Sequence, residues 1–157
     1  MTSASEAIYN DAPSIVLIKK DLGEIKVQAL VTYMLVNLIE SFNIGKTMNE
    51  TQVVDCVKDI VQDYYFLKPT ELKYCFANAR KGRYGKVYDR IDQQIIYEWL
   101  EKYLKEREEV SVNQNVNNKK RNEQEFNELI LPVLKKVSED IKQTETKDEL
   151  SFLFLVT

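Results

Sequence analysis

The chain has 157 residues, of which 44% are hydrophobic and 30% are charged, and its formal net charge is −3. This length fits one folded domain with an appendage, and the composition is typical of a soluble globular protein. The sequence contains no histidine, which excludes Ser/His and Cys/His nucleophile pairs and the commonest zinc ligand. Cys56 and Cys75 lack a C-x-x-C spacing, so we expect two reduced, buried thiols.

Only four glycines and three prolines occur in the chain, which predicts few turns and long helices. Residues 1–12 are expected to form a loose lead. Apolar residues at three- and four-residue spacing then predict helices over residues 13–20, 24–42, 49–65 and 69–81, and a further helix that is capped by Asp89 or Asp92 and runs to about residue 109. The helix over 24–42 is apolar around most of its circumference, which predicts a place in the middle of a bundle. Gly45 and Gly82 are expected to end the helices that they follow.

Residues 110–124 are rich in Asn, Gln and charge, which predicts a polar linker or a frayed helix. Residues 125–157 follow with a last amphipathic helix, which Pro132 should kink or split. Its apolar tail, residues 151–157, is expected to be a strand-like addition, a partner contact or a segment without function. The predicted fold is all-α: a compact four- to five-helix bundle over residues 13–109, with a linker and a C-terminal amphipathic helix.

A basic segment interrupts the acidic background. Residues 68–90 carry seven basic and two acidic residues, a net charge of +5, whereas the rest of the chain carries −8. Such asymmetry is typical of a nucleic-acid site. Within it lies a loop, RKGRYGKVYDR over residues 80–90, that we call the basic loop. We predict that its cations neutralise phosphates and that its first tyrosine stacks on an unpaired base, which gives the candidate site Arg80, Lys81, Arg83, Tyr84, Lys86 and Arg90.

Two other interpretations of the basic loop remain open. Its cations could pair with the protein's own acidic row, Asp55, Asp59 and Asp63, in a solvated turn. Alternatively the loop could dock an acidic surface of a protein partner. The segment Gly45-Lys46-Thr47 lacks the earlier glycine of a P-loop, so no nucleotide site is expected there. The acidic row supplies too few converging oxygens for a metal ion, and none is expected.

The aromatic residues divide by helical position. The stripes predict core positions for Tyr64, Tyr88, Tyr103 and Trp99. Tyr74 and Tyr97 lie off the stripes, and exposed tyrosines of this kind favour an interface.

Residues 64–107 contain a helix–Gly–Arg–Tyr–Gly–helix block followed by Asp-x-x-x-Ile-x-x-Trp-Leu-x-x-Tyr. This block resembles a small uncharacterised all-α family of phages, plasmids and other mobile elements of gut Bacteroidota, over roughly residues 30–109. That family's helical layout is similar to phage helicase loaders and other replisome accessory proteins. The resemblance implies a non-enzymatic role in DNA replication, with single-stranded DNA and a replicative helicase as the expected partners.

The expected division of labour places DNA on the basic loop and a protein partner on the C-terminal region, at Phe126, Ile130 and Leu134. A protein–protein adaptor or inhibitor that binds no nucleic acid is the alternative. No nucleophile–base pair, metal cluster or cofactor motif indicates an enzyme, so no catalytic residue and no cofactor is expected. No secretory signal or membrane-spanning segment is recognisable, which predicts a cytoplasmic protein without membrane contact.

Overall fold

The computed structural model describes residues 3–155, except for the side chains of Asp148 and Glu149. Within this range the chain is helical and no strand is present, which confirms the predicted all-α class. Its helices are α1 (Ala4–Tyr9), α2 (Ile15–Leu22), α3 (Glu24–Glu40), α4 (Glu50–Asp63), α5 (Pro69–Arg80), α6 (Gln93–Glu125) and α7 (Leu131–Leu155), with a π-helical turn (Phe126–Ile130) between the last two. The chain divides into two units, Met1–Val110 and Ser111–Thr157.

The N-terminal lead is partly helical, contrary to expectation. Ser3 caps helix α1, and its hydroxyl accepts a hydrogen bond from the Glu6 amide at 3.2 Å. A serine followed three residues later by a glutamate is a capping signal that a count of apolar residues overlooks. Ala4, Ala7 and Ile8 are buried, and α1 packs against α5.

Helices α3 and α4 supply much of the core of the first unit. Val27, Val31, Leu35 and Leu38 follow one face of α3 at three- or four-residue spacing, and each is at most 1% exposed. Helix α3 contacts α2, α4 and α5, yet Tyr33 on its other face is 69% exposed. Helix α3 therefore contacts three other helices, as expected for a helix in the middle of the bundle, but one of its faces remains exposed.

The predicted linker is helical in the structure. Helix α6 runs from Gln93 to Glu125 and includes residues 110–124. The sequence holds no glycine or proline between Gly85 and Pro132, so nothing in the chain breaks the helix there. The polar sequence of residues 110–124, which lacks a regular apolar period, indicated that this segment has no buried face. It did not indicate that the segment is not helical.

Pro132 interrupts the C-terminal helix as expected. The turn before it widens, and the Leu131 amide donates to the carbonyl of Phe126, five residues earlier. Because proline has no N–H to donate and its ring crowds the preceding turn, a regular α-helical bond pattern cannot continue through it. The apolar tail continues α7 as helix to Leu155, and residues 156 and 157 lie outside the described range. In the part of the chain that is described, no helix is both long and apolar enough to cross a bilayer.

Candidate nucleic-acid interface

The basic loop begins at a helix end that Gly82 shapes. The Gly82 amide donates to the carbonyl of Ala79 at 2.9 Å, and the Arg83 amide donates to that of Asn78 at 3.1 Å. Gly82 has a φ of +73°, in the left-handed region that glycine adopts without steric cost. These bonds form the Schellman motif that ends many helices. Gly82 therefore ends α5 as predicted, and it fixes the direction in which the loop leaves the helix.

Tyr84 anchors the loop instead of presenting an aromatic face. Its side chain is 8% exposed, and its hydroxyl donates to Oε2 of Glu106 on α6 at 2.8 Å. Burial, together with this carboxylate acceptor, raises the pKa of Tyr84 above its ordinary value. Its carbonyl accepts a hydrogen bond from Nζ of Lys102. The expectation that Tyr84 stacks on a base is therefore wrong, because the ring is enclosed by the protein.

Tyr88 takes the exposed position that was expected for Tyr84. It is 83% exposed, whereas a helix starting at Asp89 would have placed it on a core stripe. Helix α6 instead begins at Gln93, and the Asp92 side chain caps it by accepting from the Ile95 amide at 3.1 Å. The 3.6-residue period does not apply before Asp92, so the stripe could not be extended back to Tyr88.

The far end of the loop is also held. The Ile91 amide donates to the carbonyl of Lys46 at 2.9 Å, and Lys46 and Arg90 form an isolated parallel β-bridge. Ile91 is 2% exposed, and Val87 packs against the core. The loop is thus fixed at its start, middle and end while its charged side chains point outward.

A buried polar seam joins α5 to α6 beneath the loop. Glu71 is fully buried, and its Oε1 accepts from Tyr103 at 2.8 Å and from Nε of Arg107 at 2.7 Å. Tyr74, expected to be exposed, is 7% exposed and donates to Oε1 of Glu106 at 2.7 Å. Because Glu71 is neutralised inside the protein, Asp89 is the only exposed acid in residues 68–90, against six exposed cations. Those cations are Lys73, Arg80, Lys81, Arg83, Lys86 and Arg90.

Four loop cations, Arg80, Lys81, Arg83 and Lys86, have no ion pair within 4.0 Å among the described side chains; Arg90 pairs with Asp92 at 3.3 Å.

Two of the three acids in the row on α4 have other partners. Asp55 pairs with Lys58 at 3.7 Å, and Asp59 accepts a hydrogen bond from the hydroxyl of Tyr97. Over residues 3–155, no ion pair joins Asp55, Asp59 or Asp63 to the basic loop. The structure therefore does not show the internal neutralisation that was one interpretation of the loop.

The two cysteines are structural. Both are buried, as expected. Burial raises the pKa of the Cys56 thiol to about 12 and also raises that of Cys75. Since the thiolate is the reactive form, neither is an activated nucleophile. Among the described residues, no cluster of three or more His, Cys, Asp or Glu side chains could hold a metal ion.

The C-terminal residues predicted to bind a partner lie on an exposed face. Phe126 and Ile130 are each 47% exposed, and Leu134 is 51% exposed. They belong to a group of apolar side chains at helical spacing, all about half exposed, that we call the C-terminal stripe: Phe126, Ile130, Val133, Leu134, Val137 and Ile141.

Comparison with protein-family models, with curated proteins and with solved structures finds no match for this chain. The resemblance to a mobile-element family therefore stays a prediction.

Proposed function

We propose that this protein is a non-enzymatic accessory protein of mobile-element DNA replication, which binds single-stranded DNA through the basic loop. One observation carries the proposal: a loop anchored at three points presents Arg80, Lys81, Arg83 and Lys86 to solvent without an ion pair among the described side chains. Unpaired surface cations in a row are the elements that neutralise successive phosphates.

The anchoring supports a binding role because it reduces the entropic cost of binding. A flexible loop loses conformational freedom when it binds, whereas a loop already held in one shape loses less. Here the turn at Gly82, the buried ring of Tyr84 and the Ile91–Lys46 hydrogen bond fix the backbone between the cations. Tyr88, rather than Tyr84, supplies an exposed aromatic face for a base, and stacking of this kind contributes about 1–3 kcal/mol per base.

The proposal assigns protein binding to the C-terminal stripe. Apolar residues that recur every three or four positions are typical of an amphipathic helix that binds in a groove of its partner. The residues that we expect to make the central contacts are Phe126, Ile130 and Leu134, and the partner implied by the resemblance is a replicative helicase. The same exposed stripe favours the second candidate function, an adaptor or inhibitor that binds protein alone.

Binding of a fluorescently labelled single-stranded oligonucleotide, measured by anisotropy over a range of salt concentrations, tests the DNA proposal. The affinity of the wild-type protein should fall steeply as salt rises because counterions are released from the phosphates. In the Arg83→Glu/Lys86→Glu variant the affinity should fall at least tenfold. The loss of two phosphate contacts should also make the slope of log K against log salt shallower by about 1.4.

A matched double reversal at exposed lysines outside the loop, Lys20→Glu/Lys58→Glu, controls for net charge and should bind nearly as the wild type does. Circular dichroism should show equal helix content in all three proteins. An absence of binding by the wild type at low salt would reject the DNA proposal and favour the adaptor. Equal loss of affinity in both double variants would show that the loop has no special role.

A further inference from the structure

A groove lies between α3 and α5, next to the start of the basic loop. Its volume is about 660 Å³, within the usual range for sites that hold small organic groups. Its floor is apolar: Leu30 and Met34 of α3 are half-buried, and Leu38 and Phe76 are core residues whose edges line it. Neither the charge pattern nor the family resemblance pointed to this groove, because its two sides lie about 40 residues apart in the chain.

The rim of the groove combines an aromatic ring with two cations. Tyr33 lines it from α3 and is 69% exposed. Lys73 and Arg80 line it from α5, where a spacing of seven residues places them on the same face, two turns apart. Both are exposed, and neither forms an ion pair within 4.0 Å among the side chains that the structure describes. The rim is therefore complementary to a ligand that carries negative charge beside a flat apolar group.

We infer that this groove binds an unpaired nucleotide of the single strand that the basic loop holds. The base lies against Tyr33 and the apolar floor, and the neighbouring phosphates meet Lys73 and Arg80. The inference depends on the proposed function, since Arg80 belongs both to the groove and to the loop and so connects the two along one path.

A nucleic-acid strand fits this surface better than an acidic peptide does. From Lys73 through Arg80 to Arg83 and Lys86 the cations continue beyond the groove, as the phosphates of a strand would require. The exposed rings of Tyr33 and Tyr88 repeat the pairing of an aromatic face with nearby cations. That repetition matches the alternation of base and phosphate along a strand, whereas a peptide anchored in the groove would need only the first pair.

The test compares two probes of equal length and charge: a labelled oligothymidylate of about 12 nucleotides and the same backbone with abasic sites in place of every base. The Tyr33→Ala variant should bind the oligothymidylate about 5- to 150-fold more weakly than the wild type, the range expected for one stacked base. Its affinity for the abasic strand should be unchanged. Tyr33→Phe keeps the ring and should bind both probes as the wild type does.

One control variant and one direct measurement test whether the effect is specific to Tyr33. Tyr65→Ala removes another half-exposed tyrosine, outside the groove lining, and should leave both affinities unchanged. Tyr33→Trp provides a direct measurement, because the introduced indole should be quenched when a base stacks on it. The native Trp99 is 3% exposed and stacks on Phe42, so its emission should change little.

The outcomes separate the groove from the loop. Weaker binding of the oligothymidylate but not of the abasic strand by Tyr33→Ala supports a base in the groove. If Tyr33→Ala binds both probes as the wild type does, while Arg83→Glu/Lys86→Glu still loses affinity, the groove inference is overturned and the proposed function stands. If the wild type binds neither probe at low salt, both are overturned.

Discussion

Helices of the first unit and of the C-terminal unit carry similar apolar patterns in opposite environments. On α4, Val57 and Ile60 are at most 2% exposed, whereas Val137 and Ile141 of α7 are 49% and 55% exposed. In both helices apolar residues recur every three or four positions, which indicates an apolar face. The spacing of apolar residues therefore identifies which face of a helix packs against another surface. It does not show whether that surface belongs to the same chain or to another molecule.

Polar side chains differ between the two regions as well. In the first unit, the buried side chains of Glu71 and Tyr103 form a hydrogen-bonded network with the partly exposed Arg107. Loss of one partner from such a network is costly, because it leaves a buried charge uncompensated. In residues 111–155, the charged side chains that the structure describes are exposed. Substitutions of the same chemical kind should therefore have very different effects on stability in the two regions.

The largest difference is expected for arginine. Arg107→Met removes the cation that faces the fully buried carboxylate of Glu71 at 2.7 Å, and it should lower the free energy of unfolding by about 3–5 kcal/mol. The control Arg121→Met alters an exposed arginine of the C-terminal unit and should change stability by no more than about 0.5 kcal/mol. Urea denaturation followed by circular dichroism measures both. If the two variants lose similar amounts of free energy of unfolding, the ion pair between Arg107 and Glu71 does not stabilise the first unit as expected.

A matched pair of isoleucines tests the apolar faces. Ile60 is fully buried in α4 and Ile141 is 55% exposed in α7. Ile60→Ala should cost about 2–5 kcal/mol, because it leaves a cavity in the core. Ile141→Ala should cost less than about 0.5 kcal/mol, as judged by the same urea titration. A large cost for Ile141→Ala that increases with protein concentration would instead indicate that the C-terminal stripe is already covered by another molecule.

A smaller and pH-dependent difference is expected from tyrosine. All nine tyrosines precede residue 111. Burial and hydrogen bonding to carboxylates raise the pKa of Tyr84 and Tyr103 in the folded protein above the ordinary value of 10.0. Above about pH 10 the unfolded chain therefore loses protons that the folded protein keeps, so stability is full below that pH and falls as pH rises.

Urea denaturation at pH 9 and at pH 11, analysed for the unfolding transition of the first unit, measures this effect. The free energy of unfolding should be lower at pH 11, and the difference should shrink in Tyr103→Phe and in Tyr84→Phe, each of which removes one titrating hydroxyl. Equal stability at the two pH values would show that these hydroxyls are not held as the structure indicates.

Local signals in the sequence predicted much of the fold. Apolar spacing located α3, α4 and α5 to within a few residues, and Gly82 and Pro132 interrupt helices where they were expected to. Two departures from the expected fold have identifiable reasons. Helix α1 depends on the capping serine Ser3, and residues 110–124 form helix because no breaker occurs there.

The candidate site was predictable only in part. The basic loop and its cations follow from the sequence, and their exposure agrees with it. The groove does not, because Tyr33 and Lys73 meet only when α3 packs against α5. The burial of Glu71 was not predictable either, since nothing in its neighbours along the chain reveals that Arg107, on another helix, pairs with it.

The sequence by itself determined most of the helices, the breaks at Gly82 and Pro132, and a concentration of positive charge between α5 and α6. Only the tertiary structure decided which tyrosine of the basic loop is buried. The hydroxyl of Tyr84 donates a hydrogen bond to Glu106, 22 residues away, and its carbonyl accepts one from Lys102, so Tyr84 is held in the bundle. Tyr88 is 83% exposed. Helix periodicity is a property of neighbours along the chain, whereas burial is a property of surfaces brought together from distant segments, so the second could not be derived from the first.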